Sequence, residues 1–208
     1  MSHLTVPTQP MVMVVVAHPH PQSLNHAIAD RVSQQLQQQG YGVWRHDLYD
    51  EPFALKLPTA ELQLEYPPPA DIAHYCRELQ QATGLVVIHP NWWGQMPAVL
   101  KGWIDRVFMP GVVHSIPAPN AIITEGLLQH LAALVINTSD VELERELEQF
   151  GDPLATIWER CVLGFCEVRS YRRLLFTGVY QSSAAERAQW LQQSAETAAE
   201  LFPAITAN

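Results

Sequence analysis

The sequence predicts an α/β protein built on a doubly wound, five-stranded parallel sheet with strand order 2-1-3-4-5 and helices on both faces. Three observations lead there. Short unbroken apolar runs rich in β-branched residues, MVMVVVA at 11–17 and LVVI at 85–88, have the pattern of strands covered on both faces. Each run is followed by a polar loop and then by apolar residues at helical spacing. Strand and helix patterns alternate along the whole chain, and right-handed crossovers then make the strands parallel.

The first strand, residues 11–17, ends at His18, and the HPHPQSLN segment that follows is a turn. Leu24, Ile28, Val32 and Leu36 repeat every four residues, so a helix runs from there to Gly40, a good stop. Ser23 or Asn25 stands near its N-terminus. Residues 41–47 alternate enough for a second strand. An irregular stretch, 48–70, holds Pro52, Pro58, Pro67, Pro68 and Pro69; loops this long usually carry function or pack against a partner. Ile72, Cys76 and Leu79 support a helix over 71–82.

The third strand, 85–88, opens into the loop His89-Pro90-Asn91-Trp92-Trp93-Gly94. Pro97 suits the first turn of the next helix, along which Val99/Leu100, Trp103/Ile104 and Val107/Phe108 recur at helical spacing. Residues 110–126 are helix-poor. The fourth strand is 131–136, followed by the polar loop Asn137-Thr138-Ser139-Asp140. Ser139 and Glu142 have the spacing of a capping box for a charged helix through Leu143, Leu147 and Phe150. Asp152-Pro153 starts a further helix that Gly164 ends. Residues 167–179 hold the fifth strand, and Ser183-x-x-Glu186 caps a last amphipathic helix reaching Phe202. The order β-α-β-α-β-α-β-α-β-α fits the flavodoxin-like member of the doubly wound class, as one domain over residues 1–208 with 1–10 as a loosely ordered lead.

Composition narrows the function classes. A formal net charge of -9 and a pI near 5.4 argue against a nucleic-acid surface. Cys76, Cys161 and Cys166 form no CxxC pair, which fits a reducing cytoplasm. The lead has no positively charged region before the first apolar run, and 11–17 is too short to span a bilayer, so neither a signal peptide nor a membrane segment is expected.

In this class the loops after strands one, three and four converge on one crevice. The first supplies His18, Gln22, Ser23, Leu24 and Asn25 at a helix N-terminus, where free N–H groups and the helix dipole favour a phosphate. Ser23 and Asn25 also suit ordinary capping. His18, His20 and His26 lack an acidic or thiol partner at ligand spacing, so no metal site is expected there. A glycine-rich dinucleotide fingerprint is absent after the first strand, against a Rossmann NAD site. Trp92 and Trp93 fit either a plug on the sheet or a wall for a flat ligand.

Three segments carry a resemblance: AHPHPQSLNHAIA, HPNWWGQMPAVLKGWIDRVFMPGVV and LGFCEV. In order and over nearly the whole chain, they resemble the NAD(P)H:quinone oxidoreductase family of flavodoxin-like flavoproteins. The family includes DT-diaphorase, bacterial drug-reducing homologues and ancillary subunits of potassium efflux systems. The resemblance implies FMN, or alternatively FAD, in the crevice, with NADPH or NADH as substrate and a quinone-like acceptor. It places His18, Ser23, Leu24 and Asn25 around the flavin phosphate and runs Pro90, Asn91, Trp92, Trp93 and Gly94 along the isoalloxazine. Lys101 and Trp103 fall to packing or a dimer interface. It also implies a homodimer whose partner pocket is completed by the 48–70 and 110–126 loops.

The fourth loop's Asn137, Thr138 and Ser139 are expected to present backbone N–H groups to the flavin as well, although they depart from the family, where many relatives carry Thr-Thr-Gly-Gly followed by a tyrosine and a histidine thought to assist proton transfer. This chain has no Tyr or His between Asn137 and Cys166, so the proton donor is not transferable and His114 is only a stand-in. The expected function is two-electron hydride transfer by a ping-pong route. Two readings compete: a regulatory subunit with weak or lost flavin activity, associating peripherally with a transport system, and a one-electron flavodoxin carrier.

Overall fold

The computed structural model describes residues 9–63, 66–116 and 124–205. Residues 1–8 of the lead, 64–65 and 117–123 of the two irregular loops, and the last three residues lie outside it. A five-stranded sheet in the order β2-β1-β3-β4-β5, with every neighbouring pair parallel, matches the sequence expectation. Its strands are β1 (Met11–Val16), β2 (Gly42–Asp47), β3 (Gly84–Pro90), β4 (Ala132–Thr138) and β5 (Ser170–Phe176). The helices are α1 (Leu24–Gln38), α2 (Ala73–Gln81), α3 (Ala98–Val107), α4 (Leu143–Glu148), α5 (Pro153–Thr156) and α6 (Ala184–Leu201).

Alternation along each strand sends side chains to two cores. Val12, Val14, Val16, Val86, Ile88, Leu134 and Ile136 meet Ile28, Val32 and Leu36 of α1 and Ala198 of α6. Met13, Val15, Leu85, Val87, Ala133 and Val135 meet Leu79 of α2, Leu100 and Trp103 of α3, and Trp158 beyond α5. Double coverage is why the strands read as unbroken apolar runs.

The expected caps form at three helix starts. Ser23 Oγ accepts from the His26 N–H at 3.3 Å, Asp152 Oδ1 accepts from the Ala155 N–H at 3.3 Å with Pro153 following, and Ser183 and Glu186 make a full capping box. The Ser139–Glu142 box does not form. Ser139 Oγ instead accepts from the Val141 N–H at 3.2 Å, and α4 starts one turn later than that box requires, behind Glu142, which makes no side-chain cap bond. After α5 the backbone widens into a π-helix, Ile157–Gly164, which turns Trp158 inward.

Two strands run further than the sequence suggests. His89 and Pro90 belong to β3 and Asn137 and Thr138 to β4, paired in register as His89↔Asn137 and Pro90↔Thr138. The loops proper begin at Asn91 and Ser139. Lys101 is exposed in an ion pair with Asp105 at 2.5 Å, while Trp103 is fully buried.

Sequence gave no hint of what holds the long 48–70 stretch. The buried guanidinium of Arg106, on α3, binds Glu61 through Nε (3.0 Å) and Nη2 (2.7 Å), Asp71 through Nη1 (2.5 Å), and the Ala54 carbonyl at 2.8 Å. A Cβ on Gly102 would lie 2.8 Å from the Leu55 carbonyl oxygen, so this glycine lets the loop rest directly on α3. The neighbouring Arg106 keeps Asp71 below the usual carboxylate range.

Candidate active site

At the carboxyl ends of β1, β3 and β4 lies a cavity of about 400 Å³, within the range of ligand pockets. One wall is the start of α1 with its preceding turn. The first-turn N–H groups of Leu24 and Asn25 have no intrahelical partner, and both residues line the cavity. His18 faces them. Its Nδ1 accepts from the His20 N–H at 3.1 Å, which leaves the Nε2 proton free to donate. Burial, opposed by that backbone bond and aided by His26 and His20, lowers the His18 pKa below its ordinary value.

Ser23 is braced from behind. Its hydroxyl meets His26 Nδ1 at 2.8 Å, and His26 Nε2 meets Asp47 Oδ2 at 2.6 Å. This chain ties the α1 N-terminus to the end of β2, and no separate nucleophile role is needed to explain it. Asn25 is buried and donates Nδ2 to Thr138 Oγ1 at 3.0 Å, fastening the first loop to the fourth strand.

The third loop contributes in an unexpected way. Trp92 and Gln95 exchange backbone hydrogen bonds at 3.0 Å, and Trp93 and Gly94 between them have φ of 58° and 71°, which is a type I′ turn. Tryptophan in the left-handed region is strained by roughly 1–3 kcal/mol. The turn separates the two indoles. Trp92 lines the cavity, 6.3 Å from the His18 ring, whereas Trp93 projects fully into solvent. The pair is therefore not one flat wall.

Trp93 and Gly94 instead line a second cavity of about 470 Å³, with Arg145, Glu146, Phe150 and Pro153 around it. Asn91 and Ser139 border both cavities. Asn91 Nδ2 donates to the buried Glu146 at 2.8 Å, so the charged helix α4 docks onto the third loop and becomes a wall. A Cβ on Gly94 would sit 2.8 Å from Pro153 Cγ, which explains a glycine where α5 presses closest.

Of the residues expected to hold a cofactor, His18, Gln22, Ser23, Leu24, Asn25, Pro90, Asn91, Trp92, Thr138 and Ser139 line the first cavity. Asn137 does not, because strand alternation turns it to the opposite face. There it is fully buried, donating to His89 Nε2 at 2.9 Å and accepting from Arg173 Nε at 2.7 Å. The Ser139 N–H is also spent, donating to the Phe176 carbonyl at 2.8 Å. His114 lies outside both cavities; its Nδ1 contacts the Ser115 carbonyl at 3.0 Å and its ring packs edge-on against Phe165. Arg145, Glu146 and Phe150 were missed as site residues. Their only sequence signal is the charged helix itself.

A crevice at the switch point of a 2-1-3-4-5 parallel sheet, with a helix N-terminus and an aromatic side chain beside it, defines a protein of the flavodoxin-like fold. The chain belongs to that family: residues 11–201 match the model for the flavodoxin-like fold of the Flavodoxin_2 type. It is similar to the mouse ribosyldihydronicotinamide dehydrogenase [quinone], 28% identical over 209 residues, covering 88% of this chain and 89% of that protein. A Penicillium crustosum ribosyldihydronicotinamide dehydrogenase-like protein is 32% identical over 123 residues, covering 50% of this chain and 46% of the relative. The chain thus spans about half the length of that relative. A crystal structure from Streptococcus mutans superimposes with a TM-score of 0.80 at 27% identity, covering 91% of this chain and 99% of the other.

Proposed function

We propose that the chain is a flavin-dependent NAD(P)H:quinone oxidoreductase that holds FMN in the first cavity. The observation that carries this reading is the convergence of the α1 N-terminus, His18 and Trp92 on one crevice at the carboxyl end of a parallel sheet. The named activity of the mouse relative supports it. The donor set fits the cofactor: a single phosphate matches the first turn of α1, and the buried Asn91 Oδ1, without a partner among the described residues, offers an acceptor to a polar ring edge. FAD is the alternative, distinguished by the mass of the flavin released on denaturation.

When bound, the flavin supplies two-electron transfer from a nicotinamide to an acceptor. The residues of this chain position and enclose it. Leu24 and Asn25 N–H groups, the Ser23 hydroxyl and His18 Nε2 hold the phosphate; Trp92 covers a ring face. The second cavity suits the nicotinamide of NADPH or NADH and then the quinone, in turn, with Arg145 offering a cation to the dinucleotide phosphates. Alternating occupancy gives ping-pong kinetics, read as parallel double-reciprocal lines.

Leu143, Leu147, Phe150 and Trp93 are exposed apolar side chains on or beside the wall of the second cavity, and a homodimer partner covering them would complete the pocket. The same apolar face on α4 favours a second reading, a regulatory subunit that docks there on a transport system. No helix among the described residues is long and apolar enough to cross a membrane. The free Cys76, Cys161 and Cys166 support a reducing compartment such as the cytoplasm.

Purified protein incubated with FMN and with FAD should acquire bound flavin absorbance and then oxidise NADPH or NADH in the presence of menadione. Protein that stays colourless after both incubations overturns the flavin reading. Flavin uptake without menadione turnover shifts the case to the regulatory subunit.

A further inference from the structure

Away from the crevice, on the edge of the sheet, two histidines and a carboxylate come together from three separate elements. His46 is near the end of β2, Glu51 lies in the turn after it, and His74 is in the first turn of α2. One ligand atom from each lies within 4.8 Å of the others. We propose that His46, Glu51 and His74 form a binding site for a divalent transition-metal ion of the zinc class.

The surroundings are built as metal sites are. His46 Nδ1 is 2.9 Å from Glu51 Oε1, and its other nitrogen, Nε2, is 2.5 Å from Glu78 Oε2. A ligating histidine that gives its second N–H to a carboxylate is the usual arrangement, because the carboxylate fixes the ring and strengthens the ligand. Tyr75 donates its hydroxyl to Glu51 Oε2, which leaves Oε1 as the ligating atom. Among the described residues, no side-chain hydrogen bond engages the His74 ring, which rests against Tyr75 with centroids 3.8 Å apart.

In the metal-free chain a proton between His46 and its carboxylates plays the part of the cation; the metal would displace the proton on Nδ1 and keep the one shared with Glu78. Two imidazoles and one carboxylate select zinc-like ions over calcium or magnesium, which prefer oxygen alone. Tetrahedral zinc with bonds of about 2.0–2.1 Å holds its ligands about 3.4 Å apart. The ligand atoms already lie within 4.8 Å of one another, so reaching that spacing is a side-chain movement. The bound ion would clip β2 to α2 at the root of the 48–70 stretch. Strand alternation puts His46 on the face opposite Asp47, so the clip is separate from the His26–Asp47 brace of the crevice.

The test is zinc titration by calorimetry of the full chain, stripped with EDTA and loaded or not with FMN. One zinc per chain is expected. His74→Ala and Glu51→Gln should weaken it by about 100-fold or more and Glu78→Gln by about 10–100-fold, with circular dichroism unchanged. Glu51→Gln keeps an acceptor for Tyr75, so it remains informative if His74→Ala fails to fold. A wild-type chain that takes up no zinc overturns the proposal. So does zinc uptake that both variants retain at wild-type affinity, since the ion would then sit on other histidines.

Discussion

The indole N–H of Trp158 donates to Nε2 of His89 at 2.9 Å, with both side chains fully buried. Indole can only donate, so Nε2 is unprotonated and the ring proton sits on Nδ1, which donates to the Pro90 carbonyl at 2.8 Å. Asn137 points its amide at the same nitrogen, and Arg173 continues the chain to Asp152 at 2.6 Å. This buried network joins β3, β4 and β5 to the start of α5, and so fixes the floor beneath both cavities.

His89→Leu removes the acceptor from two buried donors and should cost about 2–4 kcal/mol of unfolding free energy. His89→Gln, which keeps an acceptor, should recover part of it in urea denaturation.

Burial holds the His89 pKa down at about 4, against an ordinary 6.5. Between these values the unfolded chain binds a proton that the folded chain refuses, so stability falls as pH drops from about 6.5 toward 4. Urea midpoints across that window should show a shallower slope for His89→Gln than for the wild type.

Arg106→Ala strands the enclosed carboxylate of Glu61 and should destabilise by about 3–5 kcal/mol. Arg106→Lys should rescue little, because a lysine cannot reproduce two-point contacts to both Glu61 and Asp71. Limited trypsin digestion followed by mass spectrometry should show faster cleavage after Lys56 in both variants.

Trp93→Asn places a residue tolerant of positive φ in the type I′ turn and should stabilise the flavin-free protein by about 1 kcal/mol. The same change should raise KM for the quinone while leaving flavin affinity near the wild-type value. Thermal melts and steady-state kinetics separate the two effects.

Ser23→Ala removes the α1 cap and a phosphate donor. Expected are a loss of about 1 kcal/mol in stability and an FMN affinity about tenfold lower by fluorescence titration, the scale of one hydrogen bond to a charged group.

The strands were legible because doubly covered strands leave apolar runs such as 11–17 and 85–88. Their ends were not. His89 and Asn137 look like loop residues because they are polar, yet each finds its partner across the sheet or from Trp158, contacts that local sequence does not display. The helix N-terminus at Ser23 to Asn25 was readable from local chemistry. The capping box at Ser139 was misread for the same reason, since its hydroxyl takes the nearer Val141 N–H. Arg106 and Glu61 are far apart along the chain, and neither sits in a pattern that announces the other.

The exposed indole of Trp93 gives the molecule a built-in optical gauge. Trp103 and Trp158 are shut inside, so a collisional quencher such as acrylamide reaches the turn first. Whatever settles over the second cavity, be it nicotinamide, acceptor or a second subunit, should shield that indole. Loss of quenching would then report occupancy without any label.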